Sequence, residues 1–310
     1  MMLGRMLRLD DGTVIEVAGR PAQGTRHSVL FGVDRASGDD VVVKIELVEG
    51  ALATERRALE WIGAQKGPVP RVRRASTLRL PDGRHSVCLV IDRARGTAPD
   101  TDAAWRKMGR TLALLDAVPW HGSGLGVFES DEFTAAHVER IRDLAGPLRD
   151  AMTGVEDWDQ IATSPLPGKP PLVITHGDPG PGNYLDRTPA GVLIDWEEAS
   201  IAPRGLDISR AMFIALLGAG PENFVARDHA ARSRAVAAGY LQRLDDAWQP
   251  DVGELRWWLT VAGIQFAHRR WRRAGRPGVL PWSDAICVLA TALLNSDWQP
   301  TCRAAPNGSR

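Results

Sequence analysis

Residues 172–197 restrict the choice of fold more than any other stretch of the chain. They read Leu-Val-Ile-Thr-His-Gly-Asp-Pro-Gly-Pro-Gly-Asn-Tyr-Leu-Asp-Arg-Thr-Pro-Ala-Gly-Val-Leu-Ile-Asp-Trp-Glu. Two short apolar runs, 172–174 and 192–194, enclose a loop dense in Pro, Gly and polar residues. His176 and Asp178 follow the first run and Asp195 follows the second. Short apolar runs bounded by breakers read as buried strands. Pairing these two places Asp178, Asn183 and Asp195 on one rigid rim. Two carboxylates and an amide oxygen are hard ligands of the kind Mg²⁺ and its phosphates prefer.

The first ninety residues read as β-rich. Runs at 13–17, 28–33 and 41–45 are apolar or β-branched, and a hairpin follows over 76–80 and 86–91 around Pro-Asp-Gly-Arg. Lysine is scarce: Lys44, Lys66, Lys107 and Lys169 are the only lysines among 38 basic residues. Lys44 nevertheless sits inside Val-Val-Val-Lys-Ile. A buried ammonium needs a carboxylate, an anionic ligand or a route to water. The helix expected over 51–62 carries Glu55, placed to reach back to that strand. Taken singly, a snorkelling lysine and a solvated glutamate explain the pair equally well. Between the first two strands lies a small-residue loop in which Gly24 leaves room for backbone amides to approach phosphates, although a plain hairpin turn fits as well. The 86–91 strand gives way to the Gly/Pro-containing connector 92–99, a lobe boundary at which the backbone near Ile91 and Arg93 is placed to hold an adenine edge.

Beyond residue 101 the chain turns helical, with helices expected over 102–118, 129–152 (interrupted at Gly146-Pro147), 206–217, 223–244, 254–273 and 283–294. The run His268-Arg-Arg-Trp-Arg-Arg273 reads as a solvated helix end capped by Gly275 rather than as a phosphate or RNA patch. Gly122-Ser-Gly-Leu-Gly126 has the wrong spacing for a dinucleotide fingerprint and reads as a connecting loop.

Acidic and basic residues balance at 38 each, which gives no reason to expect a nucleic-acid or membrane-surface partner. Three scattered cysteines imply neither a disulfide framework nor a zinc site. The start lacks a signal-peptide core, and no run approaches the ~20 apolar residues of a membrane span. A cytoplasmic protein is the expectation.

His176-Gly-Asp178-x4-Asn183 followed by Ile194-Asp195-Trp-Glu197 resembles the catalytic core of the aminoglycoside phosphotransferase family, which shares its fold with protein kinases and with choline and fructosamine kinases. With Lys44, Glu55 and the 91–99 connector the resemblance covers most of the chain. It implies an α+β, two-lobed protein-kinase-like fold: a nucleotide-binding lobe over 1–93, and a catalytic and acceptor-binding lobe over 94–310 with a disordered tail near 299–310. It further implies that Asp178 orients the attacking hydroxyl and takes its proton. Asn183 and Asp195 hold Mg²⁺, Lys44 contacts the ATP α- and β-phosphates, and Glu55 orients Lys44. His176 buttresses the loop. GTP is not excluded as donor.

The chain departs from the family after the metal-binding Asp, where it has Ala-Pro-Arg-Gly-Leu-Asp207. Asp207 matches the structural Asp, but Pro203 stands at the usual acidic position with Arg204 behind it. A polycationic acceptor needs carboxylates near the site; Glu197, Glu198, Asp245, Asp246 and Asp251 are the candidates. The expected activity is phosphorylation of a small-molecule hydroxyl, with an aminoglycoside-like or other antibiotic leading. A metabolic kinase of choline/ethanolamine, homoserine or fructosamine type is the alternative, and a nucleotide-binding module without catalysis a third. A protein kinase is disfavoured by Gly177 where that catalytic loop carries arginine, and by Asp-Trp-Glu in place of Asp-Phe-Gly.

Overall fold

The computed structural model describes residues 6–19, 26–151, 170–217, 226–243, 250, 252–273 and 275. The fold is α+β, with antiparallel sheet first and helices after. Six strands, β1 (Met6–Arg8), β2 (Val14–Gly19), β3 (His27–Asp34), β4 (Asp40–Glu46), β5 (Val72–Arg79) and β6 (His85–Asp92), form one sheet in the order β1-β2-β3-β4-β6-β5. Every pairing is antiparallel.

Period-two alternation on β4 explains where Lys44 goes. Val41, Val43 and Ile45 point to one face and pack with Ile15, Leu78, Cys88 and Val90. Val42 and Lys44 point to the other, where Leu89 pairs with Lys44 and Ile91 with Val42. Helix α1 (Ala53–Ala64) covers that second face. Its buried stripe is Glu55, Ala58, Leu59 and Ile62, spaced i, i+3, i+4, i+7, so a carboxylate heads an otherwise apolar row. The lysine and the glutamate therefore face one another across the helix–sheet seam.

The helical part contains α2 (Asp102–Asp116), α3 (Ser130–Ala151), α4 (Leu206–Leu217), α5 (Ala226–Leu241) and α6 (Val252–Arg273). Thr101 caps α2 by accepting from the Ala104 amide. Met108, Leu112 and Leu115 are buried as their spacing requires. Helix α3 runs continuously through Gly146-Pro147 rather than breaking there. Helices α2 and α5 cross at two glycines whose absent side chains allow backbone contact. A Cβ on Gly109 would lie 2.0 Å from the Val236 carbonyl oxygen, and one on Gly239 would lie 1.9 Å from that of Arg106. Backbone cannot yield as a flexible side chain does. Gly239→Val is expected to cost about 2–3 kcal/mol and to lower the melting temperature by roughly 5–10 °C, measured by calorimetry. An unchanged melting temperature would mean that the helices do not cross so closely.

Four short strands complete the fold, and here the structure corrects the sequence reading. The runs 172–174 and 192–194 do not pair with each other. Strand β7 (Leu172–Thr175) pairs with β10 (Ser200–Pro203), and β9 (Val192–Leu193) pairs with β8 (Tyr184–Leu185). Tyr184 and Ile201 are buried, so each strand found a partner that brings its own apolar cover. The 122–126 loop is indeed a connector; it runs beside β10, where Ile201 donates to the Gly126 carbonyl at 2.8 Å. The expected helix over 283–294 and the tail lie outside the described residues. Among the described residues no helix is long and apolar enough to cross a membrane.

Candidate active site

Lys44, Glu55 and Asp195 come together as an ion triad. The Lys44 Nζ donates to Glu55 Oε1 and Oε2 at 2.7 and 2.8 Å, and to Asp195 Oδ1 at 2.7 Å. Glu55 is 0 % exposed, so its charge is tenable only because the ammonium is there. Burial pulls the Lys44 pKa down, but the two carboxylates outweigh it and hold the pKa above its ordinary value. Burial likewise works against ionised Asp195. Lys44 above all, then His27 and His176, keep its carboxyl below the ordinary range.

Asp195 and Asn183 sit at one end of the β8–β9 ribbon. The ladder Tyr184↔Leu193 continues one step further, where Ile194 donates to the Asn183 carbonyl at 2.9 Å. Asp195 then adopts φ +68, a left-handed conformation uncommon for a residue with a side chain. Trp196 behind it is fully buried, and its indole donates to the Leu193 carbonyl at 2.9 Å. The strained turn is thus over-determined by packing.

Asp178 follows β7 across a tight bend. Gly177 has φ +86, and a Cβ there would lie 2.3 Å from the Glu198 carbonyl oxygen. The Asp207 carboxylate, buried at the start of α4, accepts the amides of His176 and Gly177. His176 accepts the Asp178 amide at Nδ1 (3.2 Å), and its Nε2 lies 2.8 Å from the Ile194 carbonyl, which fixes the Nε2–H tautomer by its partners. With its ring against Trp196 (centroids 4.6 Å apart), His176 ties the Asp178 loop to the Asp195 loop. The Asn183 amide closes the ring by donating to the Asp178 carbonyl at 3.0 Å and lying 3.4 Å from its carboxylate.

The connector differs from expectation in detail. Ile91 is paired within the sheet to Val42 and Val72, and the Arg93 amide donates to the Asp40 carbonyl at 3.2 Å. The Arg93 guanidinium lies over the Phe31 ring. Sheet bonding therefore already engages the backbone proposed to hold an adenine edge, while residues 94–96 have no backbone partner among the described residues. Those residues are pinned downstream by the Thr97–Asp186 bridge. Gly24 lies outside the described residues.

Of the acids expected around an acceptor, the two that are described face basic side chains. Glu197 faces the sheet, its Oε2 3.4 Å from His27 Nδ1 and 3.9 Å from Arg26. Glu198 is paired to Arg269 at 3.1 Å. Asp245, Asp246 and Asp251 lie outside the described residues. Arg204 is buried and pairs with Asp116 of α2, so it serves packing rather than the site.

The structure gives unexpected surroundings to three residues: His27, which nothing in the sequence singles out, Glu197, expected at the acceptor, and Arg269, expected in solvent. His27, Asp195 and Glu197 offer ligand atoms within 4.8 Å of one another, and Glu197 Oε2 is buried without a hydrogen bond among the described residues. The Asp-x-Glu spacing was the available signal for Glu197; nothing local marked His27. Arg269, read as solvated, is half-buried, with Nη1 3.6 Å from Asp178 Oδ1. Its signal was periodic: Trp258, Ala262, Gln265 and Arg269 form one helical stripe that starts in the core.

The comparisons with known proteins agree with this fold. No curated protein matches the chain significantly by sequence. Solved structures do match by fold. Amicoumacin kinase hAmiN, in complex with AMP-PNP, Ca²⁺ and Ami, is 14 % identical with a TM-score of 0.60, covering 93 % of this chain and 89 % of that one. Macrolide 2′-phosphotransferase MphH from Brachybacterium faecium is 19 % identical (TM-score 0.58; 94 % and 96 % covered). A choline/ethanolamine kinase family protein from Mesorhizobium loti is 14 % identical (TM-score 0.55; 91 % and 88 % covered). At such identities the likeness is one of fold. The family model described as "Phosphotransferase enzyme family" matches residues 20–258, from ahead of β3 through the strand of Lys44 and into the first turns of α6, and the chain belongs to that family of small-molecule phosphotransferases.

Proposed function

We propose that the protein transfers the γ-phosphoryl group of ATP to a hydroxyl of a small molecule, with Mg²⁺ as the required ion. The observation that carries this reading is the Lys44–Glu55–Asp195 triad closing onto the hydrogen-bonded Asp178–Asn183 loop. Phosphoryl transfer is mostly positioning and charge neutralisation, and these residues supply both. Lys44, held by Glu55, contacts the α- and β-phosphates. Asp195 and Asn183 would hold Mg²⁺, a hard-oxygen set to which the orphaned Glu197 oxygen conforms. When bound, the ion neutralises charge on the phosphates. Asp178, about half exposed, accepts the hydroxyl proton as the acceptor oxygen bonds to phosphorus and the bond to the ADP oxygen breaks. The exposed backbone of residues 94–96 receives the base. In this reading the sheet over 1–93 is the nucleotide lobe, 94–310 is the catalytic and acceptor lobe, and the protein works in the cytoplasm.

An antibiotic acceptor is the reading shared with hAmiN and MphH; the Mesorhizobium protein keeps the metabolic class in view. A nucleotide-consumption screen over antibiotics, amino alcohols, glycated amines and hydroxy acids, with ATP and GTP, tests the proposal. At least one acceptor is expected to stimulate consumption, and chelating Mg²⁺ to stop it. Nucleotide binding with no stimulation by any acceptor would favour the module without catalysis.

A further inference from the structure

Next to Asp178 lies a cavity of about 310 Å³ whose walls are guanidinium groups. Arg140 comes from α3, Arg210 from α4, and Arg269, Arg272 and Arg273 from the end of α6, with His268 and Gln265 between them. Among the described residues no carboxylate is part of its lining. We infer that the acceptor is an anion, carrying a carboxylate or phosphate that this cavity holds while its hydroxyl is presented to Asp178. The inference rests on the phosphotransferase reading of the site and adds the acceptor's charge to it.

Placement comes first. Arg269 both lines the cavity and reaches Asp178 (3.6 Å), and Arg210 both lines it and donates to the Gly177 carbonyl. A molecule in the cavity is therefore one side chain away from the residue proposed to take the proton. The second argument is charge. Asp178 and Glu198 offset Arg269, and Asp143 lies 3.0 Å from His268. Arg140, Arg272 and Arg273 have no carboxylate partner among the described residues, and Arg140 Nη1 is buried with no hydrogen-bond partner. An arginine buried this way normally finds an acceptor. Here burial and the neighbouring Arg269 outweigh Glu139 and press the Arg140 pKa down, and the same two influences lower that of Arg210 against the opposition of Asp207, Glu198 and Asp178. Like charges converge around a small space, and an oxyanion relieves that repulsion while accepting forked hydrogen bonds.

The third argument is rigidity. Gln265 Oε1 accepts from Arg210 Nε and Nη2 at 3.0 and 2.8 Å, so that guanidinium is fixed before any ligand arrives. Trp258, fully buried and 5.6 Å from Phe133, anchors the same face of α6 two turns earlier. The cavity is thus pre-organised, which lowers the ordering cost of binding. A polycationic acceptor meets repulsion at the same place, a selection by exclusion. A second cavity, about 700 Å³, is lined by residues 65–68, 114, 117–119 and 187–191 and by none of the catalytic candidates.

The same oxyanion chemistry is offered by the nucleotide's γ-phosphate, and the experiment separates the two sources. Inorganic phosphate is titrated calorimetrically into the protein saturated with Mg²⁺ and AMP-PNP. Binding is expected at millimolar concentrations or below, at least tenfold weaker in Arg140→Gln and in the surface variant Arg272→Gln, and largely restored in Arg140→Lys. Circular dichroism checks that each variant is folded. No binding by the AMP-PNP-saturated protein, or binding indifferent to both glutamine substitutions, overturns the proposal. If phosphate binds only without AMP-PNP, the cavity serves the nucleotide and the proposal again falls. Should AMP-PNP itself fail to bind while phosphate binds through Arg140, the kinase reading fails and the anion site stands. In turnover, a hydroxy acid is expected to exceed its matched amino alcohol at least tenfold in kcat/KM, and the reverse order is a further refutation.

Discussion

Asp178→Asn is expected to turn over about a thousandfold more slowly than the wild type, within the 10²–10⁴ range that a positioned general base contributes. The substitution keeps shape and removes only the charge and the ability to take a proton. Much of the surrounding loop does not depend on that charge. The Asn183 amide bonds to the backbone carbonyl of residue 178 at 3.0 Å, and His176 accepts its backbone amide. Nucleotide affinity should therefore stay within about twofold, because the groups proposed to face the phosphates are Lys44 and Asp195. Equilibrium binding of AMP-PNP and single-turnover kinetics measure the two effects separately. Normal turnover in this variant would remove Asp178 from the reaction; lost nucleotide binding would instead mean that the loop had collapsed.

Lys44→Met has a larger structural consequence. The methionine fits the apolar strand, yet it leaves Glu55, fully buried, without its cation. Breaking one half of a buried pair costs about 3–5 kcal/mol. The double variant Lys44→Met, Glu55→Gln should recover much of that stability and none of the activity, which a thermal melt and a rate assay together reveal. Recovery of activity in the double variant would mean that the lysine does not touch nucleotide. The pH dependence follows from the two shifted groups. Asp195 is depressed below its ordinary value of 3.8, so its contribution is present above that pH and is lost as pH falls through the folded value. Lys44 is raised above 10.5, so its contribution is complete below that pH and is lost as pH rises through the folded value. The stability difference between wild type and the double variant, which has no carboxylate at position 55, should accordingly be flat across neutral pH and shrink only at the two extremes. A difference that changes steeply near pH 7 would assign it to other groups.

Much of this site could be read from residue order. A lysine in an apolar strand of an arginine-rich chain, a glutamate on the following helix, and Asp-x4-Asn with a later Asp are each ambiguous alone. Together they leave few alternatives, and the structure joins Lys44, Glu55 and Asp195 in one ion triad and Asp178 and Asn183 in one hydrogen-bonded loop. Strand and helix existence was equally legible because burial imposes its period locally: β4 alternates, α1 and α2 repeat every three or four residues. What could not be read was pairing. Strands of two to four residues carry too little pattern to name a partner, so 172–174 was matched to 192–194 when each pairs elsewhere. Side-chain environment across elements was illegible for the same reason. Arg269 looked solvated because its immediate neighbours are charged; only the packing of α6 against α3 and α4 turns it inward. Glu197 and Glu198 illustrate the converse. As adjacent acids they looked equivalent, but the backbone turn sends one to His27 and the other to Arg269.

The ribbon of β8 and β9 has a consequence for how this chain tolerates change. Asn183 and Asp195 are joined across its open end by the Ile194–Asn183 hydrogen bond, while residues 187–189 at its closed end are exposed. The spacing of the two oxygen donors is therefore set by one rung of a ladder and not by the number of residues between them. Chain length in the turn is decoupled from the site, so insertions there lengthen the loop as one lengthens the handle of a clasp, leaving its jaws at the same separation.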